Sequence, residues 1–358
     1  MSALPQPVLV MGTGLIGTSV ALGLRRIGIP VWLRDRDPEA LAVAVDRGAG
    51  LRAPHEAQPG LVVVAVPPAA TAGAVGDALL RFPDAVVTDV ASVKVPIQRA
   101  LLAAGVPIGR YVGGHPMAGR EVSGPAAARA DLIDDRPWVI APHPTADPAA
   151  VDAVRALATA VRAVPVVMPA PDHDRAVAVV SHAPQVLSSL LAARLLDTTD
   201  VTATIAGQAM RDMTRVAASD PGLWIDILAA NAGPVAGVLD ALRQDLARVV
   251  DALASIDRGG HEVVADALRR GNAGRARVPG KHGAPGVPTA VVPVVVPDRP
   301  GELGRLFAAV AEAGMSVEDV RIEHALGRPT GVVEMAVAEA SARPLAEALR
   351  TGGWDVRA

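Results

Sequence analysis

The chain has 358 residues, 51% of them apolar, and a formal net charge of −3. That length can bury a full core and predicts two or three domains, and the charge balance gives no reason to expect nucleic acid as a partner. Without cysteine there is no disulfide, thiol nucleophile or cysteine-based zinc site, and no run approaches the ~18 consecutive apolar residues of a membrane span.

The amino terminus has no basic region and enters a strand pattern at once, so the cytoplasm is the expected location. Val8-Leu9-Val10-Met11 reads as a short buried strand, and Gly12, Gly14 and Gly17 follow it in the spacing G-x-G-x-x-G. The apolar stretch from Leu15 through Ile16 to Ile27 continues as a helix. Strand, glycine turn and helix in that order predict a dinucleotide site, with pyrophosphate on the helix N-terminus. Val31-Trp32-Leu33 is the second strand, and Asp35 lies 18 residues after Gly17, where an acid holds the ribose hydroxyls. NAD is therefore expected, with NADP left open because Arg34 and Arg36 flank the acid. The all-apolar run Leu61 to Val66 suits a parallel strand covered on both faces, and Val66-Pro67 would pass the cofactor. A further strand, Ala85 to Val90, ends at Ala91-Ser92-Val93-Lys94, where Ser92 reads as the cap of the next helix or as a substrate contact. Lys94 receives no firm role.

In Gly113-Gly114-His115-Pro116-Met117-Ala118-Gly119 one histidine sits between glycines and a proline. If the residues before it form a strand, His115 lies at its carboxyl end, where open α/β sheets place ligands. An imidazole there can take a proton from a hydroxyl near neutral pH. Beyond Trp138-Val139-Ile140 a proline-rich segment marks a change of character, and to about Gly271 the pattern is nearly all helical. Asp172-His173-Asp174 opens a helix that is apolar on too many sides to face solvent, which predicts burial within the domain or against another chain, and a helical module that also forms a dimer interface. Ser181-His182-Ala183-Pro184-Gln185 interrupts it, and the polar cluster at a proline kink suggests a pocket wall or a hydrogen-bonded core histidine. Arg215 can fork onto a carboxylate or pair with Asp212 one helical turn back. No H-E-x-x-H occurs and the histidines are scattered, so no metal is expected.

GTGLIGTS (12–19), TDVASVK (88–94), GGHPMAG (113–119), HDRAVAVVSHAP (173–184) and DMTRVAASDPGLW (212–224) together resemble the prephenate/arogenate dehydrogenase family of tyrosine biosynthesis. The resemblance implies a Rossmann-type α/β dinucleotide domain (1–143) and an all-α substrate and dimerisation domain (144–271) that pairs in a homodimer. It implies His115 as base for the ring hydroxyl, Ser92 as its hydrogen-bonding companion and Arg215 on the side-chain carboxylate. Ser181 and His182 fall in the family's pocket-lining segment. This chain departs from the family at Gln185, where a second histidine is common, so arogenate rivals prephenate as substrate. Two other readings stand beside this one. A 3-hydroxyacid dehydrogenase would need a second-domain lysine, and residues 95–280 contain none; a nucleotide sensor would need neither Ser92, His115 nor Arg215.

After a Gly/Pro/Arg-rich linker (272–288), the order of the last segment (289–358) is βαββαβ, a ferredoxin-like plan. Its turn Asp298-Arg299-Pro300-Gly301 and the glycine after its first helix, Gly314, resemble an ACT domain. The resemblance implies feedback by an amino acid, most plausibly L-tyrosine.

Overall fold

The computed structural model describes residues 4–119, 122–278, 288–324 and 329–357. The chain divides into two compact units, Met1–Leu242 and Arg243–Ala358.

The first unit is built on an eight-stranded sheet of order β3-β2-β1-β4-β5-β6-β7-β8. Its strands are β1 (Val8–Met11), β2 (Val31–Arg34), β3 (Leu51–Arg52), β4 (Leu61–Val64), β5 (Val86–Asp89), β6 (Tyr111–Pro116), β7 (Pro137–Pro142) and β8 (Val164–Val167). From β3 to β6 every pairing is parallel; β7 runs antiparallel to β6 and β8 parallel to β7. Strands β1 and β4 are almost wholly buried because helices cover both faces, as their unbroken apolar sequence requires. Those helices are α1 (Leu15–Arg26), α2 (Pro38–Asp46), α3 (Pro68–Arg81), α4 (Val95–Ala103) and α5 (Pro148–Ala160). Asp-Pro pairs start α2 and α5, the Asp37 and Asp147 carboxylates accepting first-turn N–H groups while proline fills the position that has no donor to lose. The sheet reaches Val167, so it extends past the expected end at 143: Pro142 to Pro148 is a turn within this layer, and α5 and β8 belong to it.

Helices then follow: α6 (Ala170–Val177), α7 (Ala183–Ala193), α8 (Asp200–Thr204), α9 (Gln208–Thr214), α10 (Pro221–Ala230) and α11 (Ala232–Ala254), the last beginning in the first unit and ending in the second. Asp220 caps α10 through the Leu223 N–H, as its Asp-Pro start predicts. Between α6 and α7 the residues Ala178–His182 form a π-helical turn. Pro184 brings no N–H to the carbonyl of Val180, and the helix widens ahead of it rather than breaking. By length and composition the continuous helical stretch Ala170–Asp197 would suffice to cross a bilayer, although no single run of its sequence is apolar throughout. It carries buried His173, Asp174, His182, Gln185 and Ser188, and exposes Val179, Val180, Leu187 and Leu190.

The second unit contains α12 (Gly260–Arg275), which continues four residues into the expected linker; most of the remaining linker, 279–287, lies outside the described residues. Beyond it β9 (Thr289–Pro297), α13 (Glu302–Glu312), β10 (Asp319–His324), β11 (Thr330–Ala338), α14 (Glu339–Thr351) and β12 (Asp355–Val356) realise the βαββαβ order. The sheet is antiparallel, of order β10-β11-β9-β12, and closes on a core from Val294, Leu306, Met335 and Leu345. Gly301 holds a left-handed conformation (φ 93°) at the start of α13, and the Asp298 N–H donates to Pro329 O at 2.9 Å.

Candidate active site

The glycine turn closes β1 onto α1 with little room. Gly12 has φ 100°, and a Cβ there would lie 2.3 Å from the Ala65 carbonyl oxygen; a Cβ on Gly17 would lie 2.0 Å from Gly12 O. Both positions are therefore closed to any larger residue. Gly14 differs, since a Cβ there would meet no protein atom within 4 Å. Gly14 is the N-cap of α1, whose first N–H groups, from Leu15 and Ile16 on, have no intrahelical acceptor, and an open N-cap of this kind suits an approaching phosphate. Asp35, just past β2, accepts from Thr13 N (2.6 Å) and Thr13 Oγ1 (2.8 Å) and, through its other oxygen, from Asp37 N (2.9 Å). Burial opposes its ionisation, but these donors outweigh burial and hold the carboxyl below its ordinary range. This tie to the glycine turn is a role the spacing did not reveal. Of the two flanking arginines, Arg34 is half-buried over the Phe82 ring at 5.8 Å, and Arg36 is exposed. Val66 and Pro67 lead from β4 into α3, where Thr71 Oγ1 donates to the Pro67 carbonyl at 3.1 Å.

His115 is at the carboxyl end of β6, as expected. A Cβ on Gly114 would meet Asp89 O at 2.5 Å and Trp138 Nε1 at 2.9 Å, so glycine lets β6 run close under its neighbours there. Lys94 is wholly buried, contrary to any reading of it as a solvated charge. Its ammonium pairs with Asp89 and donates to Gly114 O at 2.6 Å, joining the ends of β5 and β6. Burial lowers its proton affinity and the Asp89 carboxylate partly restores it. Tyr111 Oη donates to the same Asp89 at 2.7 Å.

Nδ1 of His115 lies 2.8 Å from Nε2 of His173, and Nδ1 of His173 lies 2.7 Å from Asp174 Oδ1. The Asp174 carboxylate also accepts the backbone N–H of Lys94 (2.8 Å) and of Val95 (2.9 Å). It therefore caps α4 from another helix, where the helix dipole favours a negative group. That displaces the expected cap: Ser92 stands outside the helix, and its buried Oγ has no hydrogen-bond partner. An orphaned hydroxyl at a strand end fits the alternative reading, a contact to substrate. Desolvation, then the nearby His173, Lys94 and His182, push the His115 pKa well below its usual value, so the ring is a neutral base at neutral pH.

His182 is buried, its ring edge-on to Trp224 at 6.1 Å between centroids. Asn231 Nδ2 reaches both Asp174 O (2.8 Å) and His182 Nδ1 (3.0 Å). Because the Asp174 carbonyl can only accept, the Asn231 amide nitrogen must face it, and His182 Nδ1 is then an acceptor. Burial lowers the His182 pKa. Gln185 is buried one turn further on, its Nε2 3.5 Å from Ser189 Oγ, while Ser181 is half-buried. Arg215 begins a 3-10 turn (Arg215–Ala218) that packs on α7, with an exposed side chain, while Asp212 accepts from Gln208 Nε2 at 2.8 Å. The contacts thus gather His115, His173, Asp174, Lys94, Asn231 and His182. Sequence reading missed His173, Asp174 and Asn231; the one signal for the first two was a titratable pair on the same apolar helix as Ser181-His182. Among the described residues no group of three or more His, Cys, Asp or Glu is arranged to hold a metal ion.

A glycine turn on a parallel sheet, followed by a neutral histidine on the third strand past the topological switch between β1 and β4, defines a dinucleotide-binding dehydrogenase plan. The comparisons with known proteins make the class specific. Residues 20–167 match the family model for the prephenate dehydrogenase nucleotide-binding domain, and 169–265 that for its dimerisation domain. A Streptomyces niveus protein described as probable prephenate dehydrogenase NovF is 38% identical over 96% of this chain and 98% of its own. The cyclohexadienyl dehydrogenase of Zymomonas mobilis is 32% identical over 70% of this chain and 89% of its own. Among solved structures, Aquifex aeolicus prephenate dehydrogenase, in complex with hydroxyphenyl propionate and NAD+, superposes with a TM-score of 0.69 at 27% identity, covering 77% of this chain and 99% of that one. Synechocystis arogenate dehydrogenase gives 0.64 at 26%, covering 75% and 98%. The chain belongs to the prephenate dehydrogenase family.

Proposed function

We propose that the chain oxidatively decarboxylates prephenate to 4-hydroxyphenylpyruvate with NAD. The observation that carries this reading is His115, held neutral at a strand end in the same domain as the open glycine turn. Gly12, Gly14, Leu15, Ile16 and Gly17 would hold the pyrophosphate, Asp35 the ribose hydroxyls, and Val66-Pro67 would pass beside the cofactor, with the exposed Arg36 open to a 2′-phosphate if NADP were used. NAD, when bound, supplies the hydride acceptor. His115 takes the proton of the ring hydroxyl as its carbon gives up hydride and becomes a carbonyl. The ring carboxylate then leaves as carbon dioxide, its bonding pair aromatises the ring, and the carbonyl oxygen regains a proton as the phenol. Ser92 Oγ would donate to or accept from that same oxygen, Arg215 would bind the side-chain carboxylate, and Ser181 and His182 would line the pocket.

Arogenate is the second reading, favoured by Gln185: its buried amide oxygen can accept from an ammonium and cannot itself become cationic. The exposed Val179, Val180, Leu190, Leu223 and Ile225 of the helical segment would be covered in a homodimer. Residues 289–358 would act as an ACT domain, with Asp298, Pro300, Gly301 and Gly314 framing an L-tyrosine site. A matrix of prephenate and arogenate with NAD and NADP, following formation of reduced nicotinamide, tests the assignment; turnover of neither substrate overturns it. Inhibition by L-tyrosine in the same assay tests the effector.

A further inference from the structure

Two imidazoles in direct nitrogen-to-nitrogen contact share one proton, and which ring owns it decides what the other face of each ring can do. We propose that His173 and Asp174 are positioning residues that fix the tautomer of His115, leaving its Nε2 bare to receive the substrate's proton. The inference rests on the reading of His115 as the base.

The order of the relay follows from its far end. Asp174 is held by the Lys94 and Val95 backbone N–H groups at the start of α4, so its carboxylate cannot swing away. Facing His173 Nδ1 at 2.7 Å, it is an acceptor and requires a proton on that nitrogen. Neutral His173 then has a lone pair on Nε2, directed at His115 Nδ1 at 2.8 Å. Only an Nδ1–H on His115 satisfies that contact. The ring centroids lie 5.1 Å apart with the planes turned by 80°, so the two nitrogens meet rim to rim, which suits an in-plane lone pair directed at an N–H. The remaining lone pair of His115 is on Nε2, on the edge of the ring that faces away from His173. When Nε2 takes the hydroxyl proton, the imidazolium keeps its Nδ1–H on His173, so no proton need travel along the relay. The reverse order, a cationic His173 donating to His115 Nδ1, would place the only proton of His115 on Nε2 and abolish its basicity there.

A long-range proton–nitrogen correlation spectrum of the uniformly labelled full chain at neutral pH reads the tautomer directly, with His115→Asn identifying the ring signals. The expected pattern is a protonated Nδ1 and an unprotonated Nε2. In Asp174→Ala no acceptor demands the proton on His173 Nδ1, so a population of His115 protonated on Nε2 should appear, and kcat should fall by up to ~10²–10⁴-fold with KM little changed. His173→Gln, whose amide oxygen can accept from His115 Nδ1–H, should keep most of the activity that His173→Leu loses. An Nε2–H tautomer in the unmodified chain overturns the proposal, as does a His173→Leu variant with unaltered kcat or a His173→Gln variant no better than it. Inactivity of the unmodified chain toward both substrates overturns the functional reading and this proposal with it; an active parent with any of the contrary variant results overturns the proposal alone.

Discussion

Replacing Lys94 by methionine should cost the first unit about 4 kcal/mol. The side chain is wholly buried, and its ammonium makes two bonds, to the Asp89 carboxylate and to Gly114 O at 2.6 Å. Removing one partner of a buried ion pair costs about 3–5 kcal/mol, because the other charge is left without compensation. Here Asp89 keeps the Tyr111 hydroxyl (2.7 Å) and the Ala91 N–H (2.8 Å), which places the electrostatic loss near the lower end. The Gly114 carbonyl loses a donor in a place water does not reach, adding about 1 kcal/mol. Methionine fills most of the volume, so cavity formation contributes little. Urea unfolding of the full chain, with hydrogen exchange at the β5 and β6 amides as the local reporter, measures the loss. Combining Lys94→Met with Asp89→Asn should show a coupling of roughly 1–3 kcal/mol. A loss below about 1 kcal/mol, the range of a solvent-exposed pair, would refute the argument.

Acid should destabilise the fold through His115 and His182. Burial lowers both pKa values, so below about pH 6.5 the unfolded chain takes up protons that the folded chain refuses. Stability is complete above that value and declines as the pH drops toward the folded-state values; His115→Asn should make thermal unfolding less sensitive to pH there, and an unchanged slope would remove His115 as a source. The same shift places the acid limb of the kcat/KM profile below about pH 6.5, and a base titrating above it would contradict the geometry. Gly114→Ala should cost about 1–3 kcal/mol and lower kcat, since its Cβ would meet Asp89 O at 2.5 Å and push His115 out of place; a crystal structure with an undisturbed β6 would count against this. Arg215→Ala should raise KM far more than it lowers kcat, and an unaltered KM would take Arg215 out of the substrate site.

Local chemistry made much of the fold legible. The glycine turn, the all-apolar strands β1 and β4, the Asp220-Pro221 helix start and the order of the last six elements follow from short-range patterns that tertiary structure only confirms. The extent of the sheet was harder to see, because Pro142 to Pro148 looks like a domain linker and is a turn within one layer. His115 announced itself through its glycines. His173 and Asp174 did not, since acids and histidine at a helix start have an ordinary local explanation; their partners, His115 and the α4 N-terminus, are 58 and 79 residues distant in the chain. Asn231 was hidden for the same reason, and of the two readings of Ser92 the cap gives way because a carboxylate from another helix performs it.

The π-helical turn at Ala178–His182 has a consequence for how the long helix can evolve. In a regular α-helix, residues nine apart, such as His173 and His182, point to opposite sides. One widened turn between them rotates everything that follows, and so brings both rings to the Asp174–Asn231 contact. Removing a single residue from the bulge would restore regular winding and swing His182 away while leaving its sequence neighbours unchanged. The spacing of this segment is therefore under tighter constraint than its composition: exchanges among Val, Leu and Ala should be tolerated, whereas a change of length by one should not.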